Sequence, residues 1–196
     1  MQHHTLVVML KEPRPGHVKT RLGRDIGMVP AAWWFRHQAA RLIRRLDDPR
    51  WTLVLAVSPI REGMTSRIWP AHLPRIPQGS GNLGDRMARI LRHSAPGPVM
   101  IIGGDIPAIT AVHISRAFRA LGDHDAVFGP APDGGYWLIG AKRPSILPAG
   151  ALRNVRWSSP HALADSQASL PGLRIAFTDT LQDVDTAADL VAINSR

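Results

Sequence analysis

Short apolar runs, each closed by glycine, proline or a polar cluster, alternate along this chain with segments of helical period. That alternation limits its fold more than any other feature. Residues 6–10, 52–57 and 99–102 are near-continuous apolar runs, the pattern of strands buried on both faces. Shorter runs at 73–76, 126–128, 136–139 and 174–177 read as further strands. Between them, residues 30–46, 61–69, 85–93 and 111–121 read as helices, with Pro30 in a first turn and Thr110 as an N-cap. Ser158 or Ser159 is placed to cap a helix reaching Ala168, and Thr186 to start a closing one. Strands alternating with helices predict an α/β fold, a three-layer α/β/α sandwich over a mostly parallel central sheet. No repeat, low-complexity tract or linker divides the 196 residues, so a single domain is expected.

Composition narrows the chemistry. The chain has no cysteine, which excludes a disulfide scaffold, thiolate-bound zinc or iron–sulfur, and a thiol nucleophile. It carries 24 Lys+Arg against 15 Asp+Glu, a formal charge of +9. Up to Pro98 there are 16 cations and 6 acids; beyond it, 8 and 9, so the positive field belongs to the N-terminal half. A nucleic acid, a membrane surface or a phosphorylated small molecule would each suit that field. Only three of the cations are lysines, Lys11, Lys19 and Lys142, an arginine skew of compositional background. The acids are 13 Asp with only Glu12 and Glu62, so carboxylate chemistry falls on Asp. No run is long and apolar enough for a spanning helix. The stretch from Met1 to Leu10 lacks a basic n-region and is too short for a signal peptide, so a cytoplasmic location is expected.

Five clusters lie where an α/β sheet binds ligands, beyond strand ends or in the turns nearby. Residues 11–20, with two prolines and Gly16, must be a loop; Lys11, Arg14, Lys19 and Arg21 there suit a di- or triphosphate, against a merely solvated basic loop. It is not a P-loop, because the Gly-x4-Gly-Lys-Ser/Thr order is absent. In the second, Gln78, Gly79, Gly81, Asn82 and Gly84 precede a helix. Free N–H groups there would face an anion, and Asn82 or Gln78 would read a base edge, or the segment is only a flexible turn. Asp105, after Gly103-Gly104 at the end of a buried strand, is placed for Mg²⁺ bridging phosphates, or caps a turn. Asp133-Gly134-Gly135 turns into a strand begun by Tyr136, the chain's only tyrosine; Asp133 is a turn residue or an acceptor anchor and base. Asp183 and Asp185, at period two, point the same way if extended and would complete a metal site with Asp105, or are solvated acids beside a Thr186/Asp189 cap.

Taken together, Lys-x-Pro-x-Pro-Gly-x-Val-Lys-Thr-Arg-Leu, Gln-Gly-x-Gly-x-Leu-Gly-x-Arg-Met, Ile-Gly-x-Asp-x-Pro, Gly-Pro-Ala-x-Asp-Gly-Gly-Tyr-x-Leu-Ile-Gly and Asp-Val-Asp-Thr-x-x-Asp-Leu occur in that order. These blocks resemble a bacterial glycosyltransferase-like family of GT-A fold, the nucleotide-diphospho-sugar transferases or arsenosugar-biosynthesis glycosyltransferase-like proteins. The first block also resembles that of 2-phospho-lactate guanylyltransferase. The resemblance implies a nucleotide-binding half (about 1–105) and an acceptor half (about 106–196). It implies phosphate contacts from Lys11, Lys19, Thr20 and Arg21, and a divalent metal, Mg²⁺ or Mn²⁺, on Asp105 with Asp185 and Asp183. Asp105 is followed by Ile106-Pro107 rather than completing the Asp-x-Asp usual for GT-A glycosyltransferases.

The expected activity is a metal-dependent transferase taking a nucleotide sugar or nucleoside triphosphate and a small polar acceptor. Glycosyl transfer comes first and nucleotidyl transfer with pyrophosphate release is the alternative. Asp105, Asp133 and Lys19 are the expected catalytic residues. Gly16, Gln78, Gly79, Gly81 and Asn82 join the nucleotide site; Asp133, Gly134, Gly135 and Tyr136 form the acceptor site. A non-enzymatic basic domain binding nucleotide or nucleic acid through the helix with Arg36, Arg41, Arg44 and Arg45 is the remaining alternative. No aromatic-rich basic strand pair or recognition helix supports it, and no nucleic-acid partner is expected.

Overall fold

In the computed structural model, which describes residues 4–194, the apolar runs form the middle of a seven-stranded sheet. The strands are β1 (Thr5–Lys11), β2 (Thr52–Ser58), β3 (Arg75–Pro77), β4 (Val99–Gly103), β5 (Ala126–Pro130), β6 (Tyr136–Ala141) and β7 (Ile175–Phe177). The helices are α1 (Thr20–Ile26), α2 (Met28–Leu46), α3 (Ile60–Thr65), α4 (Leu83–His93), α5 (Ala111–Ala120), α6 (Ala162–Ala168) and α7 (Ala187–Asn194). Met1, Gln2 and His3, part of the N-terminal stretch read above, lie outside the described residues.

The strand order is β3-β2-β1-β4-β6-β5-β7. β1 pairs in parallel with β2 and β4, β2 with β3, and β5 with β7; β6 alone runs antiparallel, between β4 and β5. The β5–β6 reversal is local, a hairpin through Asp133-Gly134-Gly135. The sheet is thus mixed and mostly parallel. Sequence order reverses between β1 and β4, so the crevice at the carboxyl ends of these two strands is the place where such a sheet takes ligands.

Alternation along β1 builds the three layers. Leu6, Val8 and Leu10 pack with Phe35, Leu42 and Ile43 of α2 and Ile114 and Phe118 of α5 on one face. Val7 joins Ile101 and Ile139 under Met87, Ile90 and Leu91 of α4 on the other. A strand buried on both faces has no polar side, which is why these runs carry no period of two.

Several boundaries differ from the sequence reading. The first loop spans only residues 12–19, because Lys11 ends β1 and Thr20 opens α1, a helix the reading lacks. α1 is seven residues with Gly23 inside and no side-chain cap, held by Leu22 buried against Ala31 and Val184. Helix α3 stops at Thr65 rather than reaching Trp69; Ser66 takes extended backbone there and Arg75 donates to the carbonyls of Gly63, Met64, Ser66 and Trp69. The edge strand β3 is shifted to Arg75–Pro77. Helix α4 begins at Leu83, two residues early, because Asn82 and Asp85 form a capping box. Thr110 is the N-cap of α5, as expected. His161, not Ser158 or Ser159, is the N-cap of α6; Ser159 Oγ instead donates to Arg156 O and accepts from His161 N. No helix among the described residues is long and apolar enough to cross a membrane.

Candidate active site

The crevice between β1 and β4 opens into a cavity of about 940 Å³, within the range of small-molecule sites. One wall is dense with charge. Lys19 sits at the N-cap of α1 in left-handed backbone (φ 46°, ψ 48°), a conformation unfavourable for a residue with a Cβ. Its side chain is 7% exposed, and Nζ lies 2.6 Å from Asp105 Oδ2, 2.7 Å from Asp185 Oδ1 and 3.7 Å from Asp183 Oδ2. Arg21 donates to Asp185 Oδ2 at 3.2 Å. The three aspartates come from distant parts of the chain: Asp105 follows β4, and Asp183 and Asp185 lie in the irregular segment before α7. One oxygen from each lies within 4.8 Å of the others, so the period-two pair does face the β4 carboxylate.

Burial would lower the Lys19 pKa, but Asp105 and Asp185 outweigh it and raise the pKa, keeping the ammonium charged. The Asp183 pKa is raised as well, to about 6, first by burial and then by Asp105, Asp185 and Asp133, with Lys19 opposing, and this shift favours the neutral carboxyl. Three carboxylates converging on one point form a hard oxygen donor set, which fits Mg²⁺ or Mn²⁺.

A second wall is aromatic and hydroxylic. Asp133 is exposed and accepts from Gly135 N at 2.9 Å, a turn bond that fixes its carboxylate at the cavity rim. Tyr136 enters β6 with its ring edge-on to Phe128 and to Trp157, centroids 5.0 and 6.3 Å away, and its hydroxyl within 3.1 Å of Ser166 Oγ. Burial raises the tyrosine pKa, so the phenol stays protonated. Trp157, Ser158, Ser159 and Pro160 complete this wall. The sequence reading lacks Trp157; the only local signal is a tryptophan in an irregular Ser/Pro-rich stretch.

Between the walls stands the start of α4. Gly81, Asn82, Leu83 and Arg86 line the cavity, with Arg86 Nε donating to Gly81 O. Asn82 Oδ1 is engaged as the cap of α4, which leaves its amide for a ligand. Gln78 also borders the cavity, but its amide donates to Leu10 O and Ala56 O, stitching the loop to the ends of β1 and β2. Lys11, Thr20 and Arg21 line the cavity; Gly16, Gly79 and Gly134 do not. Gly79 and Gly134 take positive φ (81° and 83°), and a Cβ on Gly134 would also strike the Pro160 backbone, so both glycines serve turns behind the walls. Gly84 serves close packing: a Cβ there would meet Leu152 O and Trp157.

Part of the basic surplus is committed to structure. Arg45 donates to Pro107 O and Ile109 O, Arg92 to Pro148 O and Ala149 O, and Arg50 pairs with Asp48.

Comparison with known proteins fits this arrangement. The sequence profile of the family DUF2064, described as an uncharacterized protein conserved in bacteria, matches residues 42–159. The chain belongs to the DUF2064 family. The matched span holds Asp105 and the Asp133–Tyr136 turn, whereas Lys19, Asp183 and Asp185 lie outside it. No curated protein sequence matches the chain. Among solved structures, one described as a candidate nucleotide-diphospho-sugar transferase from Desulfovibrio desulfuricans G20 is 27% identical, with a TM-score of 0.84 over 98% of this chain and 87% of that one. 4-Diphosphocytidyl-2C-methyl-D-erythritol synthase from Anaerococcus prevotii DSM 20548 shares the fold at 10% identity (TM-score 0.61, 100% of this chain and 99% of that one). So does Rv0371c of Mycobacterium tuberculosis H37Rv in complex with manganese, at 14% identity (TM-score 0.58, 100% and 99%). The fold of this DUF2064 protein is that of nucleotide-diphospho-sugar transferases, and these named neighbours include transferases.

Proposed function

We propose that this DUF2064 protein is a metal-dependent transferase that draws on a nucleotide-activated donor, with a nucleotide sugar as the first reading. The observation that carries it is the convergence of Lys19, Asp105, Asp183 and Asp185 at the β1/β4 crevice, in a cavity sized for a nucleotide. Similarity to the Desulfovibrio structure supports the donor class. Asp105, Asp183 and Asp185 would hold the Mg²⁺ or Mn²⁺, which supplies charge neutralisation of the donor's phosphates.

The rest of the work falls to the chain itself. Lys11, exposed at the end of β1, and Lys19 with Arg21 bind phosphate oxygens by charge-assisted hydrogen bonds and stabilise the charge that builds on the leaving group. Gly81 and Asn82 at the start of α4 take the nucleoside side of the donor, with the Asn82 amide free to meet a base edge. Asp133 faces the acceptor wall and takes the proton of an acceptor hydroxyl, while Gly135 N–H keeps its carboxylate in place. Tyr136 and Trp157, set edge to face, give that wall an aromatic corner with Ser158 and Ser159 beside it, suited to a small polar acceptor carrying an apolar face. The cavity thus divides into a nucleotide half built mainly from residues before 106 and an acceptor half built mainly after it. The C-terminal aspartates cross over to the first.

Nucleotidyl transfer is the second reading, favoured by the cations bunched in and around the 12–19 loop, which suit a departing pyrophosphate. Incubating the protein with Mn²⁺, a small polar acceptor panel, and nucleotide sugars or nucleoside triphosphates separates the two. Release of nucleoside diphosphate supports glycosyl transfer and release of pyrophosphate supports nucleotidyl transfer. Release of neither, together with steep salt-dependent binding to DNA, overturns both.

A further inference from the structure

Among the described residues, the charge held by the most ion pairs is one that the proposed reaction needs elsewhere. Lys19 Nζ sits where the Asp105, Asp183 and Asp185 carboxylates converge, with two of its contacts at 2.6 and 2.7 Å. Divalent Mg²⁺ binds oxygen at about 2.0–2.1 Å, so it and an ammonium cannot both occupy one point among the same carboxylates. Both also compete for the same negative charge. The lysine stem is long and flexible with a mobile head, whereas its backbone is fixed in the left-handed cap of α1. The ammonium can therefore swing from the carboxylates toward the cavity that Lys11, Thr20 and Arg21 line, without the helix moving.

We propose that Lys19 is a tethered counter-cation that competes with the divalent metal for the aspartate cluster, and that a donor phosphate relieves the competition by taking the ammonium. Resting on the functional reading above, this makes metal and nucleotide binding mutually reinforcing. Each ligand binds weakly alone, because the metal must displace Lys19 and the phosphate must pull it from its carboxylates. Together they exchange partners, with the metal on the carboxylates and the ammonium on the phosphate. Coupling of this kind falls at about 5- to 150-fold, and it is reciprocal. The arrangement also discriminates by ligand: a nucleoside, lacking the phosphate, would leave Lys19 on the cluster and give no gain in metal affinity.

The test is Mn²⁺ binding followed by electron paramagnetic resonance, on wild type and Lys19→Met. Each is measured alone, with a nucleoside, and with whichever of ADP, CDP, GDP or UDP binds the wild type most tightly. The wild type should bind Mn²⁺ about tenfold or more tighter with the diphosphate than without it, and should gain nothing from the nucleoside. Lys19→Met should bind Mn²⁺ alone about tenfold tighter than wild type and lose most of the diphosphate effect. A thermal-unfolding pair adds an independent readout: in chelator the variant melts below wild type, and Mn²⁺ raises its melting temperature more than that of the wild type. Equal Mn²⁺ affinity in the two proteins overturns the competition while leaving the metal site standing. Should the variant not fold, a wild type showing no coupling between Mn²⁺ and diphosphate overturns it equally. Absence of Mn²⁺ binding in both proteins under every condition overturns the metal reading itself.

Discussion

The two walls of the cavity solve opposite problems. On the charged wall, three aspartates and two cations stand within a few ångströms, and each is tolerable only because the others are there. On the aromatic wall, polar groups are individually satisfied: Asp133 by Gly135 N–H, the Tyr136 hydroxyl by Ser166. Removing one member of the first wall therefore redistributes charge over the rest, whereas removing one member of the second acts on its immediate partner, as loss of the Tyr136 hydroxyl would strand buried Ser166. The first is built to respond to ions, the second to present a fixed surface.

The sharpest way to break this contrast is Asp105→Asn. It removes the carboxylate at the end of β4 and should lower turnover on the order of 100-fold or more, the scale of losing a main electrostatic stabiliser. Circular dichroism should stay unchanged; retained turnover in a coupled product assay would remove Asp105 from the site. Next comes Lys19→Ala, which should weaken nucleoside diphosphate binding about tenfold or more, the worth of a charge-assisted hydrogen bond, while leaving nucleosides alone. Equal weakening of both in calorimetry would take Lys19 off the phosphate. Gly84→Ala tests whether the walls depend on each other. The new methyl would strike Leu152 O and Trp157, costing about 1–3 kcal/mol of stability in denaturant titration. A neutral result would mean α4 and the Trp157 segment are not pressed together.

The smallest effect is one of pH. The Asp183 pKa, up to about 6 from 3.8 when unfolded, means the folded protein holds this proton more tightly than the unfolded chain. Ionisation of Asp183 thus erodes stability as pH rises through that window. Metal-free Asp183→Asn should melt above wild type at pH 8, with the difference closing as pH falls below 4. A constant difference across that range would show that Asp183 ionises freely.

Much of the fold was legible because its strands are buried on both faces. Residues 6–10, 52–57 and 99–102 have nothing to be but central strands, and all three are. α1 was not legible. Its seven residues carry no side-chain cap and only the single apolar pair Leu22/Ile26, and it exists because these find Ala31 and Val184 in the finished fold. The antiparallel placing of β6 between β4 and β5 was equally hidden, since pairing partners are not written in a strand's own sequence. In the site, the sequence pointed to Asp105, Asp183 and Asp185 together, and the structure brings them together. It did not show that Lys19 lies among them, because a loop lysine 86 positions from Asp105 and 166 from Asp185 carries no local mark of its partners. Gly79 and Gly134 read as ligand-facing and instead serve positive-φ turns outside the cavity lining, at Gly134 with the Pro160 backbone pressed against it, a distinction that only the finished fold decides.

Whether the charged wall is a metal-assisted nucleotide site is tested most directly by titrating a nucleoside diphosphate into wild type and Asp105→Asn by calorimetry, each with and without Mn²⁺. The predicted result is binding strengthened about tenfold or more by Mn²⁺ in the wild type and indifferent to Mn²⁺ in the variant. Identical affinities in all four titrations would contradict it.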